Sequence, residues 1–475
     1  MNDMRNLFRY ISFMLLAAAL ASCNKYLDVA PKSTLSEEEL FLSEVGFQQA
    51  LTGVYSQLAS RALYGDNLTM GFMSALAQNY SVSGAGAPFL ETRALNYASG
   101  EVIGYTNAIW SAAYSAIAGA NKVILNTESK RNVLSDAGYA TIRAEALGLR
   151  ALLHFDMLRI FGQEYTAGAG KKAVPYKKTV DQNPVVPSVT EEVVSLALQD
   201  LAEAQDLLKD YDPILTGAVN RRIKMNYYAL KALEARIRLY AGDMQSAFNA
   251  AEEVVSPAVF PLITFSRASA APAFRDRLYL TEQVFCIRVR DMLNWVNNEY
   301  FRFYGNANMR LTRSNSNFQT LYETSTGGGT DFRYLYRIEQ DGGSPFPSKY
   351  WQTYTASNTL DSNRLDQYVP AIRLSEMYYI MAESAATPAE GAAYLNVVRK
   401  GRGIAELAPG SITAAALQNE ITKEYQKEFY AEGQLFFYYK RRKIARMQFM
   451  NTNVALSKYV LPIPDSELEF NPNYN

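Results

Sequence analysis

Apolar positions recur every three to four residues over long stretches of this chain, a period that predicts helices. Ile142, Ala146, Leu149, Leu153, Met157 and Ile160 fall on one stripe, and Leu147, Ala151, Leu158 and Phe161 widen it. A helix apolar over so much of its girth must be covered on two sides, as the inner helix of a stacked array is. Ile223, Tyr227, Leu230, Leu233, Ile237 and Tyr240 form a second stripe, which Gly242-Asp243 interrupts. A third helix then begins, with Ala247, Ala251 and Val254 on one face.

Helix, tight Gly-Asp turn, and a helix with small residues facing back: this resembles a tetratricopeptide unit. The glycine supplies the positive φ that ends the first helix, and the alanines let the second approach closely. A related layout recurs at Leu374, Tyr378 and Met381, followed by Ala392, Leu395 and Val398. Glu191–Leu208 is another amphipathic helix, placed to pair with Thr141–Gly162. The spacing is irregular, so the pattern predicts a mainly α fold, a tetratricopeptide-like helical array broken by long loop-rich insertions. The insertions are Tyr64–Gly100 and Pro257–Asn363, rich in Gly, Ser, Asn and aromatics, with a possible strand at Glu282–Val289. Long segments of this kind carry function more often than they carry the core.

The N-terminus has a different pattern. Arg5 and Arg9 precede a ten-residue apolar run, Ile11–Leu20, and small residues then lead to Cys23. The run is too short to span a bilayer as a helix. The segment reads as a targeting sequence, and Leu20-Ala21-Ser22-Cys23 resembles a bacterial lipobox. That resemblance implies cleavage before Cys23, lipidation of it, and a stable tether without insertion. Asn24–Leu40 follows as a short tether, entering a helix at Ser36-Glu37-Glu38-Glu39. With Cys23 lipidated, Cys286 has no partner for a disulfide and is expected to be a buried thiol in Val284–Ile287.

Charge and chemistry narrow the function by exclusion. Lys+Arg and Asp+Glu both number 47, which removes the electrostatic footprint of a nucleic-acid binder. The single histidine, His154, lies mid-helix beside the apolar stripe and is expected to be structural; no cluster of imidazoles or thiols can form a zinc site. Ala167-Gly168-Ala169-Gly170-Lys171-Lys172 lacks the first Gly and the Ser/Thr of a phosphate loop. No pair of carboxylates stands out for glycoside hydrolysis. No cofactor is expected, and the chain does not read as an enzyme.

Binding residues are easier to find. Trp295, Asn297, Asn298, Tyr300, Phe301, Phe303 and Tyr304 alternate flat rings with amides, and Asn79-Tyr80 lies in the Gly/Ser-rich stretch Gln78–Pro88. Sugars need that combination, since their C–H faces stack on rings while their hydroxyls take amide hydrogen bonds. The candidate ligand contacts are therefore Asn79, Tyr80, Trp295, Asn298, Tyr300 and Tyr304. Tyr350-Trp351 leads directly toward the Arg373 helix and is expected to pack.

Several motifs, in order from end to end, resemble the SusD/RagB-like outer-membrane lipoproteins. They begin with Cys23-Asn24-Lys25-Tyr26-Leu27-Asp28, Ala118–Ile124 (AGANKVI) and Ala144–Asp156 (AEALGLRALLHFD) with Arg159-Ile160-Phe161-Gly162. They continue with Val369–Tyr378 (VPAIRLSEMY), Tyr394–Arg399 (YLNVVR), Lys427–Gln434 (KEFYAEGQ) and Leu461-Pro462-Ile463-Pro464 near Asn471-Pro472. The resemblance implies a signal peptide at 1–22, a lipidated tether at 23–40 and an N-terminal helical region at 41–256. A loop-rich candidate binding region at 257–363 and a C-terminal region at 364–475 follow. It also implies surface exposure on the outer membrane, an oligosaccharide ligand, and a SusC-like TonB-dependent transporter as partner. RagB-like members imply a peptide ligand instead; a surface glycosidase and a protein-binding adaptor are further alternatives. Within the motifs, Arg373 and Glu376 are three apart and are expected to pair along a helix, and Glu428 and Glu432 to face neighbouring helices.

Overall fold

The computed structural model describes residues 37–290, 292–301, 310–351 and 367–474. Eleven helices carry the argument. They are α1 (Glu44–Leu58), α2 (Gly100–Ser129), α3 (Asp136–Phe161), α4 (Thr190–Leu208), α5 (Tyr227–Tyr240), α6 (Met244–Val255), α7 (Met292–Glu299), α8 (Leu374–Ser384), α9 (Pro388–Gly401), α10 (Ala414–Glu428) and α11 (Gln434–Arg441). Their starts are fixed by side chains that satisfy otherwise free N–H groups. Ser43, Ser99, Ser135, Asn226, Asp243 and Thr413 each accept from a backbone N–H in the first turn. Thr387 and Glu390 complete a reciprocal capping box ahead of α9.

The helices stack in sequence as four pairs, α1/α2, α3/α4, α5/α6 and α8/α9, with α2 on α3, α4 on α5 and α6 on α8. The tetratricopeptide-like reading of 227–254 and 374–398 is the architecture observed. Gly242 has φ +79° in the α5–α6 turn, and Ala247, Ala250 and Ala251 are buried between α5 and α8. From Ala144 to Phe161 every residue of α3 is buried, because α2 covers one side and α4 the other. Gly148 lets α5 come close: a Cβ there would lie 2.4 Å from Leu230 Cδ2 and 2.5 Å from Met225 Cγ.

The strands are few. β1 (Lys172–Val174) and β2 (Ser188–Val189) pair antiparallel, as do β4 (Ile338–Asp341) and β5 (Ser344–Pro347). β3 (Gln283–Arg288), within the stretch expected to be extended, pairs antiparallel with β6 (Tyr368–Arg373). This ladder fastens the long excursion after α6 to the start of α8. Cys286 lies on β3, buried and free, and burial pushes its thiol up to about 12. The main hydrophobic core runs from Phe41 to Leu461 and draws on the N-terminal helices, the excursion and the C-terminal helices alike, and a small second cluster gathers Ile263, Ala268 and Tyr279.

Two sequence expectations need correction. Arg373 and Glu376 do not pair with each other. Arg373 ends β6 in extended backbone (φ −125°, ψ 154°), so helical spacing does not apply to it. Its guanidinium reaches Glu428 and Glu432, while Glu376 takes both Nε (2.7 Å) and Nη2 (2.6 Å) of Arg236 from α5. The segment Tyr64–Gly100 is not a surface loop throughout either: residues 63–80 are buried. Its turns satisfy their polar groups internally, as in Thr69 Oγ1 donating to the Tyr64 carbonyl and Ser74 Oγ to that of Thr69.

The family-like motifs form a buried polar frame. Arg150 on α3 donates through Nε and Nη2 to both oxygens of Asp200 on α4, each at 2.7 Å, and through Nη1 to Asn121 on α2 at 2.9 Å. Tyr176 donates to the same Asp200 at 2.6 Å and stacks on His154, ring centroids 3.9 Å apart. Nε2 of His154 accepts the Lys177 N–H, and Nδ1 meets the Arg150 carbonyl, both at 3.0 Å. Burial, helped by the positive charges of Arg150 and Lys178 and opposed by the bond to the Arg150 carbonyl, depresses the imidazole to about 3. His154 is a packed, neutral residue.

Candidate functional site

Trp295 and Asn298 lie on α7, and Tyr300 follows its last residue. Met292 and Val296 are buried on the inner side of that helix, which leaves Trp295 partly buried and Asn298 exposed. Tyr300 is turned inward. Its hydroxyl donates to Asp66 Oδ2 at 2.7 Å, and its ring meets Trp295 edge-on at 5.6 Å and Phe89 at 5.8 Å. Phe89 in turn stacks on Tyr105 of α2 at 5.2 Å.

The second flagged segment lies against the first. Ser81 N–H donates to the Thr312 carbonyl at 2.7 Å, and the Tyr80 and Phe301 rings are 6.2 Å apart. Asn79 and Tyr80 themselves are core residues, contrary to the expectation that they meet ligand. Tyr80 is fully buried and donates its hydroxyl to the Met70 carbonyl at 2.5 Å. Asn79 Oδ1 accepts the Ala431 N–H at 3.0 Å, and its carbonyl accepts from Tyr430 and Arg313. Both spend their polar groups on fixing the loop rather than on solvent. What the loop exposes is Ser81 and Ser83–Gly86. Tyr300 is nearly as buried, so Trp295 and Asn298 are the flagged residues that keep a face toward solvent. Tyr304 and Cys23 lie outside the described residues. Tyr350 and Trp351 are buried, as their packing role requires.

Sequence reasoning missed Arg61 and Asp66, in the turns that follow α1. The Arg61 guanidinium sits 4.4 Å from the Trp295 ring centroid. It donates to Asp66 Oδ2 through Nε (3.1 Å) and Nη2 (3.0 Å), contacts Tyr300 Oη at 3.2 Å, and pairs with Glu299 at 2.9 Å. Burial pushes Asp66 up to about 6, against the pull of Tyr300 and Arg61. No local pattern announces this group, because Arg61 and Trp295 are far apart in sequence. A separate groove of about 560 Å³, lined by Tyr97, Glu164, Lys443, Leu456, Tyr459 and Pro462, contains none of the flagged residues.

A buried ionic hub sets the excursion on the C-terminal helices. Glu428 of α10 accepts from Arg333 (2.8 Å), from Arg402 (2.8 and 3.0 Å) and from Arg373. Arg402 also holds both oxygens of Glu282, at 2.7 and 2.6 Å. All five side chains are essentially inaccessible. The guanidinia hold Glu428 well below the usual carboxylate range although burial alone pushes it up.

Two family models match the chain. One, described as starch-binding associating with outer membrane, covers residues 25–230, and the other, the SusD family, covers residues 293–453. The chain belongs to the SusD/RagB-like family. A SusD-like protein, P25, from Formosa agariphila is 23% identical over 261 residues, which are 53% of this chain. The match spans about half, 47%, of that relative's length. A SusD superfamily protein from Bacteroides thetaiotaomicron has the same fold, with a TM-score of 0.69 and 21% identity over 91% of this chain and 98% of its own. A SusD-like carbohydrate binding protein from Bacteroides vulgatus gives 0.71 and 18% over 91% and 97%. These SusD structures establish the mainly helical fold. No helix among the described residues is long and apolar enough to cross a membrane.

Proposed function

We propose that this SusD/RagB-like protein is a lipid-anchored, non-catalytic receptor at the outer membrane. It captures an oligosaccharide and delivers it to a SusC-like TonB-dependent transporter. Membership of a family whose model is described as starch-binding supports the ligand class. The observation that carries the site is Trp295 on α7, partly open to solvent on the same helix as the exposed Asn298. An indole face with polar side chains on the same helix suits a pyranose, whose apolar face stacks while its rim hydroxyls are hydrogen-bonded. The site is shallow, so affinity is modest, and the transporter provides the commitment that the site lacks. The lipid on Cys23 keeps the receptor beside that transporter.

The test is binding of the full chain, held in detergent, to arrays of polysaccharides and peptides. Trp295→Ala is expected to weaken binding to one glycan class about tenfold or more, the effect of losing one stacked ring. Unchanged melting of this variant would separate contact from folding. Binding to peptides alone would replace the glycan reading with a RagB-like one.

A further inference from the structure

We propose that Arg61 is a latch closing one face of the Trp295 ring to ligands, and that the buried Asp66 carboxylate is the catch that holds it shut. The proposal rests on the reading of Trp295 as a glycan contact. With its guanidinium carbon 4.4 Å from the ring centroid, Arg61 occupies the position a sugar ring would take when stacked on that face. A ligand using that face must displace it.

The partners of Arg61 decide how firmly it is held. Its side chain is 48% exposed, and so is that of Glu299, so their ion pair is weak and screened. The cation–π contact is also weak at an exposed position. Asp66 differs: it is 2% exposed, and one of its oxygens takes both Nε and Nη2 of Arg61. Charge-assisted bonds of that kind hold a long side chain in one place.

The catch is itself poised to release. Asp66 Oδ1 is buried with no hydrogen-bond partner among the described residues, so only one of its two oxygens is used. The groups that face Asp66 are Arg61 from the turns after α1, Glu299 and Tyr300 from the end of α7, Tyr105 from α2, and Tyr80. Burial, and more weakly Glu299, oppose the carboxylate, the Tyr300 hydroxyl and Arg61 favour it, and Asp66 is pushed up to about 6. Above that pH the carboxylate holds Arg61 on the indole. As pH falls through about 6, Asp66 takes a proton and stops attracting the guanidinium. Arg61 is left with Glu299, the Tyr300 hydroxyl and the indole itself, none of which fixes it as the carboxylate does, and the ring face opens.

Acrylamide quenching reads the latch directly, without a ligand. Trp110 and Trp351 are buried, so the difference between the full chain and its Trp295→Phe variant reports Trp295. Arg61→Ala should raise Trp295 quenching about twofold at pH 7.5, because the quencher then reaches the ring face that the cation covered. The unmodified chain should rise to the same level between pH 7 and 5. Asp66→Asn should show the open value at every pH. Tyr300→Phe removes a donor to the same carboxylate and should move the step to higher pH. Equal quenching of the unmodified chain and Arg61→Ala at pH 7.5, or a step that survives in Asp66→Asn, overturns the latch. With a bound oligosaccharide, Arg61→Ala should bind several-fold tighter at pH 7.5 but not at pH 5; weaker binding at pH 7.5 overturns it. The expected quenching pattern with no glycan bound by any variant leaves the latch standing and removes the glycan reading.

Discussion

Replacing Glu428 by Gln asks whether the ionic hub is structural to the whole molecule or a local ornament. The carboxylate receives three guanidinia from three different parts of the chain: Arg333 in the excursion, Arg373 at the end of β6, and Arg402 after α9. The amide is nearly isosteric, but it loses the charge and turns one acceptor into a donor facing arginines. Glu282, Glu424, Asp331 and Glu432 are already engaged by the same cations and cannot replace it. Removing one member of a buried ion-pair set costs about 3–5 kcal/mol. Unfolding entropy of about 2.1 cal/mol/K per residue makes a chain of this length lose roughly one degree per kcal/mol, so Tm should fall by about 3–5 °C. Differential scanning calorimetry at pH 7 measures this. The folded-state value of Glu428 is depressed, so its stabilisation is full above the unfolded carboxylate value of about 4.3 and is lost as pH falls below it. The gap between the two proteins should therefore narrow below about pH 4. Lys209→Ala, which breaks the exposed pair with Asp206, is the control and should leave Tm unchanged. A Glu428→Gln chain melting with the control would refute the reasoning.

Three further outcomes are expected. His154 is the only histidine and titrates at about 3 instead of 6.5, so its neutral form is the folded form. Its contribution is full above pH 6.5 and declines as pH falls toward 3, by on the order of 5 kcal/mol in all; its NMR ring signals should not titrate between pH 8 and 5. Gly433 has φ +75°, and a Cβ there would lie 2.0 Å from the Leu68 carbonyl oxygen. Gly433→Ala should therefore destabilise by at least about 3 kcal/mol, read from the urea midpoint. Tyr80→Phe, which removes the hydroxyl bonded to Met70, should cost about 1 kcal/mol of stability and leave glycan affinity unchanged.

The helical array was legible in the sequence because helix periodicity is a local property. The stripe from Ile142 to Ile160, the Gly242-Asp243 turn and the small residues of α6 each announce themselves within a few turns of chain. The pairing of α3 with α4 followed from two amphipathic faces needing cover, and the buried state of Cys286 from its apolar neighbours. Burial of segments without a period could not be read the same way. Asn79 and Tyr80 sit among Gly and Ser and look like loop, yet Arg313 and Tyr430, hundreds of residues later, close over them. Arg373 and Glu376 have helical spacing, yet a strand ends at Arg373 and each side chain takes a distant partner. Arg61 and Trp295 share no local signal at all. Local spacing determined which segments are helices and which faces they bury; only the tertiary structure decided which polar and aromatic side chains meet, because that depends on what folds over them from elsewhere in the chain.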